Sequence, residues 1–482
     1  MGLAPPGVSR RAWYLSGVRI WSCALVALAG CNSNQAPTPA PDLLPGPGPA
    51  SKEVVPPDFP EWTRSLELTR TVGVRLDPAD DGKRIGTIAV DTRVAWTRTA
   101  KGKGCEKPWV EIEPHGWVCS DYVKPSKQPP FGQEVPHLER GEIVPGTYGK
   151  VTAAQAVTYT YDKPKKKKGK KADDAPGALV EDQPILGSLN VRQWDEVTIG
   201  GRVYWKISQK DPEFVLKAAV TKHQPSSWGG TRLGDDIGWA VPIAFVWPHG
   251  GMLQAWTTAK PGAIALRQID ARTPIPILEE STDKDGKITA YRIGDGEWIG
   301  AADVHVFKPT APPPLLQPNE RWIDVDLDAQ ILVAFEGETP VYSTLVSSGA
   351  KETPTETGLY RIWLKESEAD MKGLNGEDPY SVATVPWTEF FSPEKGLALH
   401  TAYWHDQFGK QRSHGCVNLA PRDARWLYFW SDPQVPPGWT SSVGVVELPG
   451  SVVRIRSAAD PTPEWKGYAK KVLEDRQQNA PR

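Results

Sequence analysis

Proline and glycine punctuate this chain too often for long helices: 47 and 44 of 482 residues, spread along most of its length, interrupt a helical period almost wherever one begins. Between them lie short runs in which apolar and polar side chains alternate, the period of a half-buried strand. A mainly β protein of short strands and turns is expected. At roughly 150 residues per domain the length suits about three of them. Lys and Arg number 56 against 58 Asp and Glu, so no net positive field exists to hold a phosphate backbone, and nucleic acid is set aside as a partner.

The first residues read as an address. Arg10, Arg11 and Arg19 precede an apolar run, Ile20–Ala29, which suits a signal-peptide core and is too short to span a bilayer. The run ends in Leu28-Ala29-Gly30-Cys31, which resembles the bacterial lipobox. That resemblance implies cleavage of residues 1–30, lipid on Cys31, and an exported, periplasmic protein held to a membrane by its N-terminal lipid. Asn32, in place of Asp, implies the outer membrane. The alternatives are an ordinary cleavage site with a coincidental cysteine, or an uncleaved anchor. Residues 31–60, rich in Pro, Ala and Gly, form the expected tether, with a reach of about 80 to 90 Å in polyproline geometry.

Three β modules are expected next, over 61–126, 127–226 and 227–316. Each has alternating apolar residues and a Trp-containing strand and closes in a Pro-rich or polar joint. The first, from Thr71 (VGVRLDPADDGKRIGTI to GWVCSDYV), resembles bacterial SH3-like domains, which implies a small barrel; the other two resemble them more loosely. Export permits disulfides, so Cys105 and Cys119 form a candidate pair, with two separate buried thiols as the alternative. No Cys-x-x-Cys or second ligand pair lies near them to suggest a metal. In the second module KPKKKKGKKADD (163–174) places seven lysines in nine residues, a self-repelling insertion that either docks on anionic polymers or headgroups or stays a solvated loop.

From Arg321 the pattern sharpens. RWIDVDLDAQILVAFEGETPVYSTLVSSGA alternates, breaks at Glu336-Gly337-Glu338 and resumes, as a β-hairpin does. TPTETGLYRIWL follows, then an irregular aromatic stretch from Lys365 to Pro393 that reads as a lid, with Trp387 and Tyr403 among its substrate contacts. LALHTAYWHDQFGKQRSHGCVNLAPRDARWLYFW comes next. Cys416 needs a base or a positive neighbourhood to become a nucleophile, since a free thiol is mostly protonated at neutral pH. His400, ending the strand from Leu397, can be that base. Gly415 permits a turn whose backbone amides, those of His414, Gly415 and Cys416, can form an oxyanion site. Pro421 and Asp423 open an expected short helix, whose N-terminus would favour the thiolate.

Ser413-His414-Gly415-Cys416-Val417-Asn418-Leu419, with His400 upstream, resembles the signature of the L,D-transpeptidase (YkuD) family, and the resemblance extends over about 140 residues, 319–457. It implies a YkuD-like β-sandwich catalytic domain with a short helix after the nucleophile, preceded by the SH3-like modules and followed by a tail, 458–482, with a short helix. It also implies Cys416 as nucleophile, His400 as proton donor and acceptor, a backbone carbonyl of Thr401 orienting the imidazole, and supporting roles for Ser413 and Asn418. The implied substrates are peptidoglycan stem peptides, joined through a cysteine thioester into a 3→3 crosslink. Hydrolysis or attachment of a protein would use the same thioester. Many relatives carry Arg where this chain has Asn418. His405 reads as a loop residue, and a zinc site from His400, His405, His414 and Cys416 fits no common ligand spacing. Neither metal nor cofactor is called for. The rival from another class is a wall-binding scaffold with an inactive transferase domain, and the oligomeric state is left open.

Overall fold

In a computed structural model the described residues are 54–55, 59–152, 156–162, 178–185, 187–238, 241–247, 253–259, 263–373 and 380–479. The expected signal segment 1–30, Cys31, the tether as far as residue 53 and the lysine run 163–174 lie outside them. Val54–Val55, at the end of the segment read as tether, pairs with Trp96–Ala100. Strands dominate throughout.

Residues 321–456 supply ten strands and one helix: β1 (Arg321–Asp326), β2 (Ile331–Glu336), β3 (Thr339–Leu345), β4 (Gly358–Arg361), β5 (Leu364–Gly373), β6 (Tyr380–Ser392), β7 (Leu397–Thr401), β8 (Val417–Leu419), α1 (Pro421–Trp430), β9 (Trp439–Val443) and β10 (Val452–Arg456). A second helix, α2 (Gly467–Gln478), follows and packs on β4. One sheet runs β3-β2-β1-β10-β4, and Thr231–Arg232, within the segment read as the third module, adds an edge strand beside β3. The other runs β9-β5-β6-β7-β8.

The first sheet is apolar on both faces. In β2, Leu332 and Ala334 face a core shared with β6, β7, β8 and α1, whereas Ile331, Val333 and Phe335 face Phe245, Trp247 and Phe307 of the third module. This two-sided cover is why ILVAF is buried at every position instead of alternating. Trp322 stacks on Phe335 with centroids 4.2 Å apart, a contact worth about 1 kcal/mol beyond the area it buries.

Helix α1 forms where the sequence placed it. Pro421 takes the first helical position, where a missing N–H is no loss, and Ala424, Leu427 and Tyr428 line its buried face. Its far end is held by a buried lysine: Lys365 on β5 donates to the carbonyls of Tyr428 (2.7 Å) and Ser431 (2.6 Å) and faces Glu389 on β6 at 3.8 Å.

The stretch expected to be an irregular lid is instead a long hairpin, β5 and β6, paired from Leu364↔Phe390 out to Gly373↔Tyr380. Pro386, paired opposite Glu368, interrupts the regular strand within it. The strand accommodates the interruptions with a register shift between Ala369 and Met371 and with Thr384 and Trp387 at positive φ.

The flanking modules join this second sheet through backbone pairing. Arg84–Ile88 of the first module pairs with β9, and Trp439 lies so close on Gly86 that a Cβ there would meet its ring at 2.2 Å. Ser188–Gln193 of the second module runs parallel to the outer part of β6. Cys105 and Cys119 are disulfide-bonded, and closing a loop of that length stabilises the first module by about 3 kcal/mol in the chain-entropy picture.

Candidate active site

β7 and β8 lie parallel, with His400 opposite Asn418. Paired residues share a face and side chains alternate along each strand, so Cys416, two residues before Asn418, falls on the face that carries His400. His400 is 2% exposed. Its Nδ1–H donates to the Thr401 carbonyl at 2.9 Å, which fixes the tautomer and leaves the Nε2 lone pair available. Burial pulls this imidazole down to about 4, so it is neutral at physiological pH.

Cys416 is the free cysteine of the described residues and is half-buried. Its sulfur lies 3.8 Å from the Gly396 carbonyl. Burial pushes the thiol up to about 11, against a smaller opposing pull from the Ala398 backbone. The two groups therefore rest as thiol and imidazole, not as thiolate and imidazolium. Among the described residues no hydrogen bond joins them. Attack must be coupled to transfer of the thiol proton.

The turn before the nucleophile is laced to the segment after β3. Ser413 accepts the Gly415 N–H on its Oγ (3.1 Å) and donates to the Cys416 carbonyl. The Ser413 carbonyl accepts from Ala350 N–H (2.8 Å) and from Thr353 Oγ1 (3.1 Å). Thr355, buried, donates through Oγ1 to the Gly415 carbonyl and accepts the Gly349 N–H, both at 2.8 Å. Gly415 has φ +122°, where a side chain is strained.

These contacts narrow the oxyanion candidates. The Gly415 N–H is committed to Ser413. In the trans peptide between Gly415 and Cys416 the N–H points opposite to the carbonyl that Thr355 holds, so Thr355 sets the direction of the Cys416 N–H. The His414 side chain is exposed. The expected help from the helix N-terminus is not supplied: residues 417–420 are extended and carry the start of α1 on the order of 15 Å along the chain from Cys416, beyond the first-turn range of the dipole.

Trp387 and Tyr403 are not substrate contacts on a lid. Trp387 is a fully buried member of the central core. Tyr403 is equally buried, packed 4.0 Å from the Tyr148 ring and 5.6 Å from His223 of the second module, and donates to the Ala383 carbonyl at 2.9 Å.

His405, read as a loop residue, reaches the site. Its ring hydrogen-bonds the Asn418 carboxamide at 3.1 Å, and Trp404 beside it lies 5.9 Å from the His400 ring. The loop is gripped from the third module, where Arg272 donates to the Asp406 carboxylate and carbonyl, both at 2.5 Å, and Trp228 stacks on Phe408. Spacing within one strand-turn-strand unit carries no signal for a partner some 130 residues away, so Arg272 was invisible in the sequence. Thr355 sat in plain view in TPTETG but without an assigned role. Among the described residues the one cluster of metal-ligand types is Cys105, Cys119 and Asp121, and the disulfide consumes both sulfurs.

Residues 320–455 match the model of the YkuD family, the L,D-transpeptidase catalytic domain. It is similar to YciB of Bacillus subtilis (strain 168), named as an L,D-transpeptidase, with 24% identity over 31% of this chain and 81% of that one. It is also similar to L,D-transpeptidase 2 of Mycobacterium tuberculosis, 31% identical over 20% of this chain and 25% of that one. A solved L,D-transpeptidase of Enterococcus faecium aligns at 26% identity and a TM-score of 0.24, covering 31% of this chain. The chain spans about half of the Enterococcus structure, 55%.

Proposed function

We propose that this protein is a peptidoglycan L,D-transpeptidase that works through a thioester on Cys416. The observation that carries the reading is the fixed tautomer of His400, whose bare Nε2 lies on the same strand face as the only free thiol of the described residues. As the Cys416 sulfur bonds to the carbonyl carbon of a tetrapeptide stem, its proton passes to His400 Nε2, and the Cys416 N–H meets the developing oxyanion. Collapse breaks the C–N bond, His400 returns the proton to the departing amine, and the terminal D-amino acid leaves. A neighbouring stem's side-chain amine then attacks the thioester, His400 takes its proton, and the sulfur leaves and is reprotonated. The product is a 3→3 crosslink. The reading includes export and lipid attachment at Cys31, supported by the Arg-rich start and the Leu-Ala-Gly-Cys junction.

The test incubates the full chain with purified tetrapeptide muropeptides and reads products by mass. Crosslinked dimer, lost in Cys416→Ala and His400→Ala, is expected. Tripeptide alone would reassign the enzyme as a carboxypeptidase, and no product from the unaltered protein would overturn the reading.

A further inference from the structure

The loop between β7 and β8 delivers a second imidazole to the nucleophile's face, and its hydrogen bonds determine which atom goes where. The Gln407 backbone N–H points at His405 Nδ1 at 3.2 Å. A backbone amide can only donate, so Nδ1 accepts and the proton of the neutral ring sits on Nε2. Burial holds this ring neutral, at about 4. The Nε2–H therefore needs an acceptor, and the group 3.1 Å away is the Asn418 carboxamide. Only the carboxamide oxygen can accept, so it must face His405, and the NH2 takes the opposite terminus. That terminus is buried, with Asn418 3% exposed, and no donor of the protein reaches it, as suits an NH2 there.

We infer that His405 is a positioning residue: by donating from Nε2 it fixes the orientation of the Asn418 carboxamide and so turns its NH2 toward a carbonyl or carboxylate of the bound stem peptide, beside Cys416 and His400. The inference rests on the acyl-transfer reading above. It explains why a loop histidine is neutral and doubly hydrogen-bonded, and why the third module, through Arg272 and Asp406, grips the residue next to it. A base role for His405 is excluded by the same bonds, since neither ring nitrogen has a free lone pair.

The experiment compares His405→Gln, His405→Asn and His405→Phe in the full chain. Gln places an amide N–H where Nε2–H was; Asn reaches only the Nδ1 position; Phe has neither group. Expected is kcat/KM for stem-peptide turnover within about threefold of the unaltered protein for Gln and at least tenfold lower for Asn and Phe. The rate of Cys416 alkylation by iodoacetamide should stay unchanged in all three, because that reagent does not use the carboxamide. Equal turnover in all three variants, or an equal loss of turnover and alkylation, would overturn the inference. An independent readout needs no activity: 15N-edited NMR of the histidine rings should find His405 as the Nε2–H tautomer, and the Nδ1–H form would overturn the inference even if the enzyme crosslinks. An unaltered protein without turnover that shows the Nε2–H form would instead count against the acyl-transfer reading alone.

Discussion

Replacing Thr355 by Val removes one hydroxyl and almost no volume, yet it cuts two buried hydrogen bonds, one of which holds the Gly415–Cys416 peptide. The Gly415 carbonyl loses its donor and the Gly349 N–H loses its acceptor, each at 2.8 Å. Thr355 is 5% exposed, so water does not readily replace either. Leaving two buried polar groups unpaired costs about 2 to 4 kcal/mol of stability. The catalytic cost is separate. A freed peptide plane no longer aims the Cys416 N–H, and removal of one oxyanion donor elsewhere lowers kcat by about 100- to 1000-fold. Because the donor is only misdirected, kcat should fall about 10- to 100-fold, with KM within about threefold. Thr355→Ser keeps the hydroxyl and should recover most of the rate. Turnover of tetrapeptide muropeptides, followed by mass at a temperature where thermal melting shows each variant folded, supplies both constants. A folded Thr355→Val enzyme with unaltered kcat would refute the reasoning.

Other outcomes follow from the buried charges. Alkylation of Cys416 should climb through about pH 9 to 11 with no plateau at acidic pH, because burial raises the thiol and lowers His400; a plateau below pH 7 would reveal a thiolate-imidazolium pair and contradict this. Lys365→Met should destabilise the protein by about 3 to 5 kcal/mol in urea titration, since it strands Glu389 and two carbonyls, and Glu389→Leu in the same chain should return much of that loss. Asp423, raised to about 6 by burial, binds its proton more tightly in the folded state. Its contribution is therefore fully present below about pH 4 and is lost as pH rises through 6; melting temperatures of the unaltered protein and Asp423→Asn over pH 4 to 7 should show a slope that is flatter in the variant.

Much of the nucleophile's neighbourhood was legible because it is local. Leu397 to Thr401, the Gly-Cys turn and the Pro-initiated helix each depend on residues within one short segment, and the hairpin of β2 and β3 follows from the break at Glu336-Gly337-Glu338. What escaped depends on distance along the chain. Tyr403 looked like an exposed aromatic because Tyr148 and His223, which pack against it, lie far away along the chain, and Trp387 because its strand was read as a loop, whereas it points into the central core. Pro386 hid a strand pairing that proline tolerates at irregular positions. His405 carries no mark in the sequence that it faces Asn418; that follows from the return path of the loop, which Arg272 helps to set.

The pairing of Arg84–Ile88 with β9 bears on anyone who trims this protein. A fragment beginning at the catalytic domain would uncover a row of backbone amides and carbonyls along β9, together with the ring of Trp439 that Gly86 now covers. Such a bare border invites a strand from another molecule, so a minimal fragment is set to clump, and the smallest well-behaved enzyme should retain its first module.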